Sequence, residues 1–415
     1  MTIGINAAAA VRQRRTGVEE YCYQLIKHLT MLRQSREHRF LLYLPKFPAP
    51  PQLRRGQGEV VFNLNQHPTP ALPSDEGREH ALFDFPFSNN FKAKQLNWPL
   101  PMWTQIRLAS EMLLNRPDVL FIPAHILPLA HPKNSIVAIH GLEYEYYPKM
   151  YPCRHLKYLR WSTKYAVKNA RKIIAVSENT KRDLIKFYGA RPEMISVIHH
   201  GYCLNGASAA GGRAVEGCNN VDSSTLRPGR IAQSIKSPYL LYIGRVELKK
   251  NILGILEAYK ILKEKYKIPH ELVLAGGPGY GYESLELKVE TLRLRSGYNI
   301  LEPGYISDTD KWELLAGADV FLFPSFYEGF GIPVLEAQSM GVPVVSSNIS
   351  SIPEITEDSA LLINPKNSEE IAEAVYKIID DKNLHDRLIE LGYKNVKRFS
   401  WEKCARETLC VLLSD

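Results

Sequence analysis

Phe323-Pro-Ser-Phe-Tyr-Glu328-Gly-Phe-Gly-Ile-Pro-Val-Leu-Glu336-Ala holds two carboxylates, two glycines and a helix-starting proline in a spacing that can do chemistry. An apolar run leads into a loop carrying Glu328, and Pro333 stands near the first position of a helix. Gly329 and Gly331 let a ligand approach the backbone closely. Unpaired amides at the helix start suit a diphosphate or sugar hydroxyls. Glu336, about one turn in, can accept hydrogen bonds from vicinal hydroxyls such as a ribose diol. A plain strand–turn–helix whose glutamates only cap and solvate fits the same residues, and this stretch alone leaves the two readings level.

A second group is Tyr242-Ile-Gly244-Arg245-Val-Glu-Leu-Lys-Lys250-Asn251. Gly244 ends a predicted strand, so Arg245 and Lys250 fall in the loop above its carboxyl end. Two cations there can clamp a diphosphate and absorb the charge that grows as it leaves. Lys249 competes for that role at a less apt spacing, and Asn251 reads as the N-cap of the next helix. A solvated basic loop is the bland alternative. It weakens because two loops of one domain converge on one place.

The elements that must position these residues are legible as an alternation of apolar strands and amphipathic helices. In the first half, strands are expected at Ile3–Ala7, Phe40–Leu44, Val60–Leu64, Val119–Pro123, Ile136–His140, Ile173–Ser177 and Ile195–His199. Helices fall at Gly17–Leu32, Met102–Asn115, Leu156–Ala170 and Glu178–Tyr188. Pro45–Pro101, rich in Pro, Asn and Gln, reads as loops at a domain rim. Residues 203–236 are small, polar and Gly-rich, and read as a linker or long loop. The alternation restarts at Tyr239 and runs to helices at 368–380, 384–397 and 401–413. The fold class is α/β: two doubly wound domains, 1–202 and 237–398, facing a cleft where ligands bind beyond the strand carboxyl ends. The closing stretch, 399–415, is expected to return to the first domain.

Charge divides along the same line. Residues 1–200 hold 28 Lys+Arg against 15 Asp+Glu, while residues 201–415 hold 24 against 29. A basic first half suits anionic headgroups or a phosphate-bearing acceptor, and equally a merely solubilising surface. No helix-turn-helix, RNA-binding or zinc-finger signature points to nucleic acid. No apolar run is long enough to span a bilayer, and Arg12, Arg14 and Arg15 follow the short apolar start instead of preceding it, so a cytoplasmic protein is expected. The six cysteines form no CxxC pair and read as reduced, structural thiols.

The set GRxxxxKN, LAGGPG, GY-SD and FPSxxEGFGIPVLEA resembles that of the family-4 retaining glycosyltransferases of the GT-B fold. The first half agrees, with a GIN strand, RTGVEEY, IHGLEYEYYP and IIAVSENTKRDL. The resemblance covers 1–46 and 118–415 apart from the linker. It implies a nucleotide-diphosphate sugar, GDP- or UDP-linked, as co-substrate, with no metal or other cofactor. It places Arg245 and Lys250 on the diphosphate, Glu328 at the transferred sugar and Glu336 on the donor ribose. The backbone of Phe330, Gly331 and Ile332 would meet sugar hydroxyls, and that of Val334 and Leu335 the phosphates. Gly17 would approach the diphosphate, Tyr305 and Ile306 would flank the base, and His140 would stand beside the reacting sugar.

The resemblance therefore implies a retaining transfer of a hexose to a saccharide or lipid-linked saccharide, in cell-surface polysaccharide synthesis. Many relatives that transfer mannose carry His-Asp where this chain has His140-Gly141. His199 and His200 read as structural. Asp308-Thr-Asp310 imitates a metal-binding DxD, but before a helix Asp308 reads as an N-cap and Asp310 as a first-turn acid. A nucleotide-sugar epimerase is the nearest rival enzyme, and would need more first-domain acids or bases than His140. A non-catalytic nucleotide-sugar-binding protein is the rival from another class. A Rossmann dehydrogenase lacks its G-x-G-x-x-G after the first strand, where Ile5-Asn-Ala-Ala-Ala stands.

Overall fold

Strands that are apolar throughout must be covered on both faces, and that requirement builds a parallel sheet between helical layers. The computed structural model describes residues 1–12, 15, 17–45, 83, 85, 87–98, 102–202, 231, 235, 237–294 and 298–414. The expected strand Val60–Leu64 and nearly all of 203–236 lie outside them.

In the first domain the strands are Thr2–Asn6 (β1), Arg39–Pro45 (β2), Phe91–Leu96 (β3), Val119–Ile122 (β4), Ser135–Ile139 (β5), Lys172–Ala175 (β6) and Ile195–Val197 (β7). All pair in parallel, in the order β3-β2-β1-β4-β5-β6-β7. The strand β3 corrects the expectation of rim loops across Pro45–Pro101. Only Phe91 and Leu96 of Phe-Lys-Ala-Lys-Gln-Leu are buried, because the strand closes the sheet's edge. Its helices are Gly17–Met31 (α1), Ala109–Leu114 (α2, entered through a π-turn), Glu143–Tyr146 (α3), Cys153–Asn169 (α4) and Glu178–Tyr188 (α5).

The second sheet is also parallel throughout. Tyr239–Ile243 (β8), Glu271–Ala275 (β9), Ile300–Gly304 (β10), Val320–Phe323 (β11), Val344–Ser347 (β12) and Leu361–Ile363 (β13) run in the order β10-β9-β8-β11-β12-β13. Helices Ile252–Glu264 (α6), Tyr282–Arg293 (α7), Asp308–Gly317 (α8), Ile332–Ser339 (α9), Ile352–Thr356 (α10), Ser368–Asp380 (α11) and Lys382–Val396 (α12) surround it. In each sheet the strand order reverses beside a central strand, β1 or β8, and a crevice opens there at the carboxyl ends.

Trp401–Leu413 (α13) leaves the second domain and lies along α1. Trp401, Cys404, Leu409 and Leu412 share one core with Ile3, Tyr21 and Leu25. The crossing is tight: a Cβ on Gly201 would fall 2.1 Å from the Trp401 amide nitrogen. Among the described residues no helix is long and apolar enough to cross a membrane.

Candidate active site

The carboxyl ends of β8 and β9 are stitched together before either loop reaches the cleft. The Gly244 amide donates to Ala275 (2.9 Å), and the Val246 amide to Gly277 (2.9 Å). A Cβ on Gly276 would fall 1.7 Å from the Gly244 carbonyl oxygen, so this approach needs glycine. Held on that platform, the Arg245 stem lies against Gly279 and its exposed guanidinium has no acidic partner among the described residues.

Lys250 stands five residues on, and its Nζ is 2.6 Å from Oε1 of Glu328. The cation and the carboxylate that the sequence singles out in separate loops therefore meet. Lys249 turns elsewhere and bridges Glu247 (3.5 Å) and, across the cleft, Glu143 (3.8 Å). Asn251 caps α6, its side chain accepting from the Gly254 amide at 3.2 Å. The Glu328 loop is pinned from below by two serines that sequence reasoning passed over. Ser350 accepts from the Glu328 amide (3.1 Å), and Ser351 donates to the carbonyls of Glu328 (2.9 Å) and Phe330 (2.8 Å).

These side chains line one cleft of about 880 Å³ between the domains. Gly244, Arg245, Lys250, Tyr305, Ile306 and Glu328 line it from the second domain, as do Phe330, Gly331 and Ile332 where α9 begins. Gly17 and His140 face them from the first domain, and a Cβ on Gly17 would meet nothing within 4 Å. Val334 and Leu335 do not line the cleft. Both side chains are fully buried, and the Val334 amide is already bonded to the Gly331 carbonyl at 3.0 Å. Glu336 lies behind Lys311, which does line the cleft and reaches its carboxylate at 2.8 Å. Burial opposes the Lys311 charge, but Glu336 and then Asp308 outweigh it and raise its pKa. Lys311 was missed, since a lone lysine in a first helical turn carries no signal of its own.

Ser307, not Asp308, caps α8: its hydroxyl oxygen accepts from the Asp310 amide at 3.1 Å. The rule of Ser three residues before an acid outcompetes the reading of Asp308 as cap, and both aspartates fall in the first turn. Among the described residues no three His, Cys, Asp or Glu side chains gather as a metal site would need.

His140 ends β5 with Nε2 2.7 Å from the Pro123 carbonyl oxygen. A carbonyl can only accept, so Nε2 carries the proton and Nδ1 is left as a buried acceptor without a partner among the described residues. Burial, helped by the neighbouring His125, pushes the His140 pKa down to about 3. The ring is therefore neutral at working pH and can receive a hydroxyl's hydrogen bond, but cannot lend a proton. His125, at the carboxyl end of β4 with φ +53°, lines the cleft 5.1 Å from His140 between ring centroids. His200 is buried, as its structural reading expects. It also lines the cleft, packed among Tyr21, Phe330 and Trp401, with neither ring nitrogen partnered among the described residues. Glu143, unremarked in the sequence, adds a carboxylate to the first-domain wall. Burial alone would raise its pKa, but Lys249 and a hydrogen bond from Tyr151 hold it low.

Two parallel-sheet domains with a cation–carboxylate constellation at the facing strand ends define a sugar transferase of the GT-B type. Residues 15–205 match the family described as Glycosyltransferase Family 4, and residues 230–395 that described as Glycosyl transferases group 1. The chain belongs to the family-4 glycosyltransferases of the GT-B fold. It is 27% identical to O-antigen chain mannosyltransferase B of Escherichia coli, over 98% of each chain. It is 28% identical to the serotype-specific mannosyltransferase WbdA of the same species over 56% of this chain, which spans only 27% of that longer protein. The crystal structure of Anabaena HepE in complex with UDP and glucose superposes with a TM-score of 0.67, at 16% identity, over 99% of both chains.

Proposed function

We propose that this enzyme moves a hexose, of mannose type before glucose type, from a GDP- or UDP-linked sugar to a saccharide or lipid-linked saccharide, with retention of configuration, in cell-surface polysaccharide synthesis. One observation carries the reading. The unpaired Arg245 and the Lys250–Glu328 pair stand at the strand ends of the second domain, facing the acceptor-type His140 across the cleft. Mannose is favoured by the named activity of the relative that matches along its whole length. Arg245 and Lys250 stabilise the diphosphate as its charge develops, and the departing diphosphate takes the proton of the acceptor hydroxyl on the same face. His140 Nδ1 receives a sugar or acceptor hydroxyl and fixes its angle.

A panel of GDP- and UDP-sugars, with release of nucleotide diphosphate measured with and without acceptor, tests this. One donor should be consumed in an acceptor-dependent way, and the product's NMR coupling should match the donor's anomer. No turnover of any donor, or an inverted product, would overturn it. Activity should be the same in excess chelator as with added magnesium or manganese. Loss in chelator that one divalent ion restores would make Asp308 and Asp310 metal ligands after all.

Association with an anionic membrane surface belongs to the same proposal. In α4 the small residues Ser162, Thr163 and Ala166 face the core. Lys157, Arg160, Lys164 and Lys168 are exposed beside Trp161, although Arg160 is forked onto Glu145. Basic side chains near anionic headgroups contribute on the order of 1 kcal/mol each, and salt screens that attraction. The protein should co-sediment with anionic vesicles at low salt and leave them as salt rises. Equal partitioning onto neutral vesicles, or none onto either, would reduce the basic face to a solubility feature.

A further inference from the structure

Tyr327 directly precedes Glu328, yet its side chain belongs to the other domain's surroundings. Its hydroxyl donates to Asp183 Oδ2 (2.7 Å) and accepts from the Leu142 amide (3.0 Å) and the Asn179 side-chain amide (3.4 Å). Its ring lies 5.4 Å from that of Tyr146, whose own hydroxyl donates to Asp183 Oδ1 at 2.6 Å. Asp183 is 3% exposed and has no cation partner among the described residues. Two tyrosine hydroxyls, one from each domain, and Asn179 (3.1 Å) satisfy its carboxylate. Withdrawing the Tyr327 hydroxyl would leave the buried Leu142 amide without its acceptor and Asp183 Oδ2 with Asn179 alone, which disfavours a partly docked state.

We propose that Tyr327 is a positioning residue: its seating on Asp183 when the domains dock is what sets Glu328 and Gly329 against His140. The inference rests on the glycosyl-transfer reading above and adds to it how the site is assembled. Glu328 is fixed on one side by Lys250 and at its backbone by Ser350, both of the second domain. Tyr327 ties this loop to the first domain by its hydroxyl, next to the close pair Gly141 and Gly329, while the Phe326 carbonyl accepts more loosely from Tyr147 at 3.4 Å. Glu354, also of the second domain, strengthens the docking by accepting from the first amides of α5, those of Glu178 (2.8 Å) and Asn179 (3.2 Å). A carboxylate at a helix N-terminus is favoured both by those bonds and by the helix dipole.

The test uses the full chain with Tyr327→Phe, Asp183→Asn and the double variant. Calorimetry with GDP and UDP reads the second domain, turnover reads the assembled site, and small-angle scattering reads domain separation. Each single variant should lose about 10²-fold in kcat, as a misplaced reacting group does, while nucleotide affinity stays within about twofold. The double variant should be no worse than either single one, since both break the same contact. Scattering should show wider domain separation in all three. Turnover close to wild type in folded Tyr327→Phe, or nucleotide affinity falling in step with kcat, would overturn the inference. If the wild type consumes no nucleotide-sugar at all, the functional reading fails. Scattering then decides the docking on its own, and unchanged domain separation in the variants refutes it.

Discussion

Lys250→Ala is expected to lower turnover by about 10²-fold or more in a protein that still folds, because in the proposed mechanism the ammonium acts on charge present fully only in the transition state. Its Nζ is held 2.6 Å from Glu328, so the cation is already oriented before any donor arrives. Lys249→Ala is the control. That lysine is shared between Glu143 and Glu247, and its loss should leave turnover closer to normal. Steady-state rates at saturating donor, alongside circular dichroism, separate the two. Near-normal turnover in folded Lys250→Ala would remove the lysine from the diphosphate.

Gly329→Ala should be as damaging for a different reason. A Cβ at this position would stand 1.5 Å from the His140 carbonyl oxygen and 3.4 Å from the Gly141 Cα. Both are backbone, with no flexible side chain to move aside, so the methyl must hold the two loops apart. Turnover is expected to fall by about 10²-fold or more. Binding of GDP or UDP should survive, because the proposed donor contacts lie in the second domain. Calorimetry and rates measured on the same preparation check this. Turnover near wild type would show that the loops do not approach this closely in the working enzyme. The same packing constrains Gly141. Its φ is +148°, and an added Cβ would lie 3.2–3.3 Å from Tyr327, Glu143 and Gly329 at once.

Elements with a full apolar period were readable at nearly residue accuracy: the sequence places helices at Glu178–Tyr188 and 368–380, where both occur, and a strand at Val119–Pro123, one residue beyond the observed Val119–Ile122. The strand β3 escaped because an edge needs burial only at its ends, and Lys92 and Lys94 mask it. Ser307 and Asp308 offered two caps for one helix, and only geometry chooses between them. Within the site, motif spacing brought out Arg245, Lys250 and Glu328, since each lies in a loop just after an apolar strand. Contacts between distant segments were illegible. Lys311 and Glu336 are 25 residues apart, and Asp183 and Tyr327 are 144 apart, with no local pattern linking either pair. His125 and Glu143 looked like ordinary loop residues until the two walls of the cleft were in place.

Because α13 completes the core around α1, the first domain cannot finish folding when its own sheet has been made. Roughly 200 further residues must be translated before Trp401 and Leu409 exist, which at about 5–20 residues per second takes on the order of 10–40 s. Through that interval the apolar faces of Tyr21 and Leu25 lack their cover, while the whole second domain is synthesised behind them. The nascent chain thus presents a defined hydrophobic surface to chaperones, and translation speed through the second half sets how long it does so.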